Sequence, residues 1–151
     1  MSVESIGVLF EGVSAVTSTP SVELGTTRTV AGEDYVYVYN AGGAATGTGV
    51  GLSRPVSAAA GLYSVTASSA SGDLCIGFVK HATLGSGQYG WALTYGLVTV
   101  AVASSASSQS AGPKALGANG LVATAAAGNH IIGELTTIIV SGNSGALLVN
   151  V

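Results

Sequence analysis

One stretch near the middle of the chain constrains the fold more than any other. Residues 88–102 read QYGWALTYGLVTVAV and contain the chain's single tryptophan, Trp91. The second half of the stretch alternates valines with other residues, and a period of two is the pattern of a β-strand. Gly96 interrupts it, so the sequence predicts two short strands, at residues 89–94 and 97–102. We expect their valines to enter a hydrophobic core.

The clearest strand elsewhere is EDYVYVYN, residues 33–40. Because side chains alternate across a strand, Tyr35, Tyr37 and Tyr39 face one way and the two valines face the other. We expect the valine face to enter the core. The tyrosine face is either an exposed aromatic ladder at an interface or a cover for a neighbouring strand of the same domain.

The rest of the chain repeats this theme. Short β-prone segments alternate with turns rich in glycine, serine and alanine, and few segments have the charged amphipathic pattern of a helix. A length of 151 residues fits one domain. Many short strands with frequent turns predict an all-β fold. We expect a single antiparallel domain at residues 31–151, built as a β-sandwich, a jelly-roll-like fold or a small barrel.

Two segments share an order of features. Residues 61–79 and 120–135 each open with Gly-Leu, cross a run of small residues, turn, and enter a segment that contains Ile-Gly. A glycine inside a strand, here Gly77 or Gly133, often marks a bulge or a close approach of another backbone. This similarity indicates either two similar hairpin units or a coincidence in a low-complexity sequence.

Residues 1–30 differ in character from residues 31–151. A small apolar cluster is followed by a polar, β-prone segment that contains Pro20, and proline confines a segment to a sheet edge or an extended conformation. We expect an extended N-terminal arm that lies on a neighbouring subunit or partner; a frayed terminus or an ordinary edge strand is the alternative. The predicted partner-interface residues are Val8, Leu9, Phe10, Val22, Leu24, Arg28, Tyr35, Tyr37 and Tyr39.

Charge is sparse. The chain has four Lys and Arg residues against seven Asp and Glu, a net charge of −3. Nucleic-acid binding generally requires a basic surface, so the negative net charge argues against a nucleic-acid-binding function. The single cysteine excludes an intramolecular disulfide, and neither a signal peptide nor a long apolar helix is indicated. We expect a surface of Ser, Thr, Gly and Asn that is covered in part by partners, with no membrane contact.

The sequence contains few residues that could carry out catalysis. Cys75, His81 and His130 are the residues from which a hydrolase site could be built, and their spacing provides no pair of zinc ligands. A lone cysteine between Leu74 and Ile76 is typical of a core position. GSGQYG matches a dinucleotide-binding pattern but leads into a predicted strand rather than a helix. We therefore predict no enzyme activity, no metal and no cofactor.

Four stretches together resemble the capsid decoration proteins of tailed bacteriophages, also called cement or head-stabilisation proteins. They are LGTTRTVAGEDYVYVYNAGGA, GQYGWALTYGLVTVAV, GNHIIGEL and SGNSGALLVNV, which span residues 24–151 in order. The resemblance implies an all-β, homo-oligomeric and often trimeric virion protein. It implies a place on the outer capsid surface, with the major capsid protein as partner, and no cofactor.

A head-fibre or receptor-binding module that recognises glycans is the alternative function. It would use the three tyrosines of residues 33–40 and Trp91 as an exposed stacking platform. Trp91 therefore separates two interpretations of residues 88–102. If Trp91 is buried the stretch is scaffold, which we favour, and if it is exposed the stretch marks the partner surface.

Overall fold

The computed structural model describes residues 12–54, 61–67, 74–101, 112–116, 121–124, 131–135 and 144–151. Within these ranges the chain forms β-strands and no helix, so the all-β prediction is confirmed. The strands are β1 (Thr27–Val30), β2 (Glu33–Asn40), β3 (Gly51–Arg54), β4 (Ser64–Ala67), β5 (Leu74–Val79), β6 (Tyr89–Ala101), β7 (Gly112–Leu116), β8 (Val122–Thr124), β9 (Ile131–Leu135) and β10 (Ser144–Asn150).

Five of these strands close into a barrel. Their order is β2-β4-β3-β5-β6, and β6 pairs with β2 to complete the ring. The contact of β2 with β4 is parallel and short, whereas the other contacts in the ring are antiparallel. Closing a sheet on itself pairs the edges that an open sheet would expose. Of the predicted architectures, the small barrel is the one that the described strands form, with β1 and β7–β10 as additional strands.

The barrel interior is aliphatic. Each barrel strand contributes to one buried cluster, so the valine face of β2 enters the core as expected. The members of this cluster are Val36, Val38, Leu52, Val65, Val79, Leu84 and Ala92. The tyrosine face of β2 points to the opposite side, where it joins a second cluster with Phe78, Trp91 and Leu93. The barrel wall is therefore packed on both of its faces along β2 and β6.

β6 is one continuous strand of 13 residues, so the predicted interruption at Gly96 is wrong. The glycine instead marks a change of partner. Before it, β6 pairs with β2 and β5, and from Tyr95 onward it pairs with β10. Gly96 has φ +135°, and a Cβ built there would lie 2.8 Å from Cγ of Glu33. The strand continues through this position because a residue without a side chain fits there.

The strands from β3 to β10 form two similar units. Across the sheet their order is β4-β3-β5-β6 in one unit and β8-β7-β9-β10 in the other. Each unit therefore runs through its four strands in the same order along the chain. The units meet where β6 pairs with β10.

The registers of the two units agree residue by residue. Leu52 lies opposite Gly77 in the first unit, and Lys114 lies opposite Gly133 in the second. In both, the next pair is shifted by one residue, so the isoleucine before each glycine is the extra residue of a β-bulge. The sequence similarity between the two Ile-Gly segments therefore reflects a structural repeat, which extends over four strands.

β6 serves both units. In its first half Leu93 lies opposite Tyr35 of β2, and in its second half Leu97 lies opposite Leu148 of β10. Leu93 and Leu148 hold equivalent register positions against β5 and β9. The second half of β6 therefore occupies, in the second unit, the place that β2 occupies in the first. We call β2–β5 with the first half of β6 the first repeat, and the second half of β6 with β7–β10 the second repeat.

Residues 12–30 lie against the first repeat. β1 and β2 form a hairpin across Ala31-Gly32, whose φ angles of +52° and +82° are those of a type I′ turn. Further back, Thr17 pairs with Tyr89 at the start of β6. The described part of the predicted arm is therefore packed on the barrel, and the hairpin crosses the predicted boundary at residue 30.

Candidate functional site

The tyrosine face of β2 is covered by other parts of the chain. Tyr35 and Tyr37 are each 1% exposed. The Tyr37 hydroxyl accepts hydrogen bonds from the backbone nitrogen of Ser21 at 3.2 Å and from its Oγ at 3.0 Å. Val13 and Val22 pack against the same cluster. Of the two alternatives for this face, Tyr35 and Tyr37 follow the second: they are core residues of the single chain, not an exposed ladder.

Trp91 lies in this covered layer, with 8% of its surface exposed. The centroid of its ring is 5.1 Å from the centroid of the Tyr37 ring. The guanidinium carbon of Arg28 lies 5.7 Å from the Trp91 centroid. Tyr39 is half-buried, with its ring centroid 4.8 Å from that of Tyr89. The interpretation of residues 88–102 as scaffold is confirmed for Trp91.

The other predicted interface residues divide into three groups. Val22 is half-buried against the core, and Val8, Leu9 and Phe10 lie outside the described residues. Leu24 and Arg28 remain at least partly at the surface, where Val30 of β1 is also exposed. We call Leu24, Arg28 and Val30 the N-terminal face.

A small hollow lies beside this face. It has a volume of about 290 Å³ and is lined by Thr27, Arg28, Thr29, Asp34 and Thr94. The Thr29 hydroxyl donates to Oδ1 of Asp34 at 2.6 Å, and the Thr94 hydroxyl donates to the Asp34 backbone oxygen at 3.1 Å. These hydroxyls bond to the protein itself, so the hollow is a hydroxyl-rich surface feature beside Arg28.

A polar cluster that the sequence does not reveal connects β2 with the residues after β5. The Glu33 carboxylate accepts hydrogen bonds from Lys80 Nζ at 2.6 Å and from the Tyr35 hydroxyl at 2.7 Å. The Tyr35 hydroxyl also lies 2.9 Å from His81 Nε2. Backbone N–H of Leu97 donates to Glu33 at 3.3 Å. Lys80 and Glu33 are far apart in the chain, so no spacing signal could have identified this pair.

The cluster sets the ionisation of its members. Burial alone would raise the pKa of Glu33, but the hydrogen bonds from Lys80 and Tyr35 and the Lys80 charge outweigh it, so the pKa lies below its ordinary value. Burial, together with the negative charge of Glu33, raises the pKa of Tyr35. Glu33 is therefore an ionised acceptor, and Tyr35 is a neutral donor to it.

A second surface lies on the outward side of the β6–β10 contact. Here Thr99 pairs with Ala146, and Leu97 with Leu148, all on one side of the two strands. Tyr95 continues the same side and is 46% exposed. A hollow of about 430 Å³ adjoins it, lined by Thr48, Lys80, Ala146 and the 97–100 segment of β6. Of these residues, Tyr95, Leu97, Thr99 and Leu148 are exposed, and we call the four the β6–β10 face.

Of the residues considered for catalysis, Cys75 and His81 lie within the described ranges, and the bonds shown for each are to other residues. Cys75 is buried, and burial raises the pKa of its thiol to about 12, so the thiol stays neutral. His81 is engaged with Tyr35, and His130 lies outside the described residues. Within the ranges that the structure describes, no group of three or more His, Cys, Asp or Glu residues could hold a metal ion.

No protein-family model matches the sequence, and no curated protein is significantly similar to it. Across the part of the chain that the structure describes, no helix is long and apolar enough to cross a lipid bilayer. Functional inference therefore depends on the residues and their geometry.

Proposed function

We propose that this chain is a virion structural protein that binds the outer surface of a tailed-bacteriophage capsid and stabilises the mature shell. One observation carries the proposal. GQYGWALTYGLVTVAV, which carries the sequence resemblance to capsid decoration proteins, contains β6, the strand that closes the barrel and begins the second repeat. The resemblance is therefore to the scaffold of the fold, which supports a structural role.

The N-terminal face is our proposed contact with the major capsid protein. Leu24 and Val30 are 36% and 38% exposed and would lose apolar surface to a partner. Arg28 carries a guanidinium stacked near Trp91. A cation held over an aromatic ring loses less side-chain freedom on binding than a solvated one. Such a face combines a hydrophobic contact with one positive charge.

Each copy would contribute a modest contact, and a repeating shell would multiply it. We favour a homo-oligomer, and a trimer among the possibilities, because linked copies bind neighbouring shell subunits with a high effective concentration. A protein that binds the mature shell better than alternative states stabilises that shell by mass action. Its location would be the outer surface of the virion.

The glycan-binding alternative needs exposed aromatic rings. Tyr35, Tyr37 and Trp91, three of the four residues expected to form that platform, are buried. Ser21 bonds to Tyr37 and Arg28 lies over Trp91, so stacking a sugar on these two rings would require residues 12–30 to leave the barrel. This burial favours the capsid-binding proposal over the alternative.

The test is binding of purified protein to mature phage shells, measured by cosedimentation and by the melting temperature of the shells. We expect the wild type to cosediment and to raise that temperature. The double variant Leu24→Asp/Arg28→Glu should bind at least about tenfold more weakly, because it reverses both the polarity and the charge of the N-terminal face. Leu62→Asp is the matched control, since Leu62 is 42% exposed outside this face.

Two results would count against these assignments. A wild-type protein that neither cosediments with shells nor changes their melting temperature would overturn the function. Normal binding by the double variant, with its circular dichroism unchanged, would remove the N-terminal face from the contact.

A further inference from the structure

Tyr95 of β6 has a paired strand on each of its two edges. It lies opposite Asp34 of β2 and opposite Asn150 of β10. Because a strand has one neighbour on each edge at any position, β2 and β10 flank β6 on opposite sides. The pairing with β2 ends at Tyr95, whereas the pairing with β10 continues to Ala101. At residues 96–100 the β2 side of β6 is therefore paired with none of the described strands. We call this stretch the open edge.

The equivalent edge of the first repeat is filled by the chain itself. Tyr37 holds in the first repeat the register position that Thr99 holds in the second. The N–H of Tyr37 donates to the backbone oxygen of Thr26 at 2.9 Å, and its backbone oxygen accepts from the N–H of Gly25 at 2.9 Å. β1 continues this pairing as far as the hairpin turn. The described part of the chain gives Thr99 no equivalent backbone bond. Among the described strands, the second repeat thus lacks a counterpart of β1.

One hydrogen bond shows which backbone groups point to the open edge. The N–H of Leu97 donates to the Glu33 carboxylate at 3.3 Å, on the β2 side. In a strand, the N–H and C=O of one residue point to the same edge, and so do those of the residue two positions on. The carbonyl of Leu97 and both backbone groups of Thr99 therefore point to the open edge. Gly49 lies so close to the Thr99 oxygen that a Cβ there would collide with it. The Leu97 carbonyl and the Thr99 N–H remain, one acceptor and one donor.

The hollow of about 430 Å³ lies along this edge. It is lined by residues 97–100 together with Thr48, Lys80 and Ala146. Since successive side chains of a strand point to opposite faces, a hollow that touches four consecutive residues follows the strand's edge. Its volume is within the range of ligand-binding clefts. An extended peptide presents donors and acceptors at the same spacing as the strand, so it is the occupant that the two backbone groups match.

We propose that the major capsid protein adds a short extended segment to the open edge as an extra strand. This inference rests on the proposed function and names the way in which the capsid protein is held. The open edge is continuous with the N-terminal face, because Val30 of that face pairs with Glu33, whose carboxylate binds Leu97. A capsid segment that contacts the N-terminal face therefore reaches the open edge by passing Glu33.

The charges and side chains at the open edge favour a peptide over an ion. Lys80 lines the hollow, but its ammonium group is bonded to the Glu33 carboxylate, so the pair carries no net charge. The other lining residues are uncharged. In strand addition the main-chain hydrogen bonds supply affinity, and side chains at alternate positions supply specificity. Leu97, which is 51% exposed on the β6–β10 face, offers such a side chain an apolar contact.

The first test is Thr99→Pro, measured by cosedimentation of the full chain with mature shells. Proline has no N–H, and its ring occupies the space in which an added strand would lie. The pairing with β10 is preserved, because the N–H of Thr99 points away from β10. We expect shell binding at least about tenfold weaker than that of the wild type, the loss of one hydrogen bond and of the space beside it. Thr99→Val, which keeps the N–H and the branched side chain, is the matched control and should bind within about twofold of the wild type.

A second pair of variants blocks the hollow without changing the strand. Thr48 is exposed and lines the hollow, so Thr48→Trp fills it from the opposite wall. We expect this variant to lose shell binding by at least about tenfold as well, because the added strand has no room. Ala45→Trp is the control, since Ala45 is exposed on the same connection and does not line the hollow. These exposed positions keep the test decisive if Thr99→Pro does not fold, which circular dichroism determines.

Four outcomes would overturn the inference. Normal shell binding by Thr48→Trp, or by a folded Thr99→Pro, would do so and would leave the proposed function standing, because the wild type still binds. An equal loss of binding by Ala45→Trp would show that the effect is not specific to the hollow. A wild type that self-associates in sedimentation equilibrium without shells, and whose Thr48→Trp variant does not, would assign the open edge to a second copy. Only a wild type that fails to bind shells would remove the proposed function and the inference together.

Discussion

Gly77 on β5 and Gly133 on β9 occupy the same register position in the two repeats, each directly after a bulged isoleucine. A Cβ at Gly77 would lie 2.7 Å from the carbonyl oxygen of Leu93. At Gly133 the carbonyl oxygen of Leu148 fills the equivalent space, and φ is +153°. In both repeats the bulge brings the strand too close to its neighbour for any side chain.

We therefore expect Gly77→Ala and Gly133→Ala each to lower the free energy of unfolding by about 2–3 kcal/mol, because the neighbouring backbone must move. Urea unfolding measures this. Gly47→Ala is the control, since no heavy atom lies within 4 Å of a Cβ there and its φ is not positive. If Gly133→Ala proved as neutral as the control, the close approach in the second repeat would be disproved.

The strand pattern of the first repeat is accessible from sequence because alternation and turn residues are local signals. The predicted strand at residues 33–40 has the observed bounds, and Ile-Gly correctly marks both bulges. β7 escapes prediction, because GPKAL reads as a turn followed by a charged residue. The register of β7 shows why this segment is a strand: Lys114 occupies the position that Leu52 has in the first repeat, and it is likewise buried. Pairing with β8 and β9, a non-local interaction, decides this strand.

The candidate surfaces are harder to predict for the same reason. Tyrosines at alternate positions show that three rings share a face but not whether that face is covered. Here Ser21, from a segment that resembles an arm when taken alone, bonds to Tyr37, whereas His81 lies against Tyr35. The exposed positions Leu97 and Leu148 come together only through the pairing of β6 with β10. No single segment of sequence contains that contact.

The β1–β2 hairpin offers a stabilising substitution. Ala31 has φ +52°, a left-handed conformation that is unfavourable for a residue with a Cβ and is tolerated best by Asn, Asp and Gly. Ala31→Asn would create the Asn-Gly sequence that type I′ turns prefer. We expect it to raise the free energy of unfolding by about 0.5–1 kcal/mol and the melting temperature by a few degrees. Ala31→Val should lower both, and a gain from valine would show that the turn is not left-handed.

The Glu33 cluster should make stability depend on pH. Because the folded protein holds the pKa of Glu33 below 4.5, its ordinary value, the stabilisation is complete above that pH and is lost as the pH falls through the lowered value. Glu33→Gln should cost about 1–2 kcal/mol at pH 7, since Lys80 and the N–H of Leu97 lose a charged acceptor. The difference between wild type and variant should shrink in acid.

Unfolding by urea at pH 7, 5 and 3 tests this. Lys80→Met is the matched variant, because it removes the cation and keeps the length of the stem. If Glu33 acts through Lys80, the double variant should cost less than the sum of the two single ones. A Glu33→Gln penalty that stays constant between pH 7 and pH 3 would contradict the lowered pKa.

Cys75 tests whether the chain holds a reactive thiol. Its side chain is 5% exposed, its sulfur donates to the backbone oxygen of Gly77 at 3.8 Å, and burial raises its pKa to about 12. A thiol reagent at pH 8 should therefore label the folded protein at least about a hundredfold more slowly than the protein unfolded in guanidinium, because reaction must wait for local opening. The labelling rate of the folded protein gives the answer directly. Rapid labelling with a midpoint near pH 9 would place an ordinary thiolate at the surface and revive the hydrolase hypothesis; slow labelling that follows global unfolding assigns Cys75 to the core.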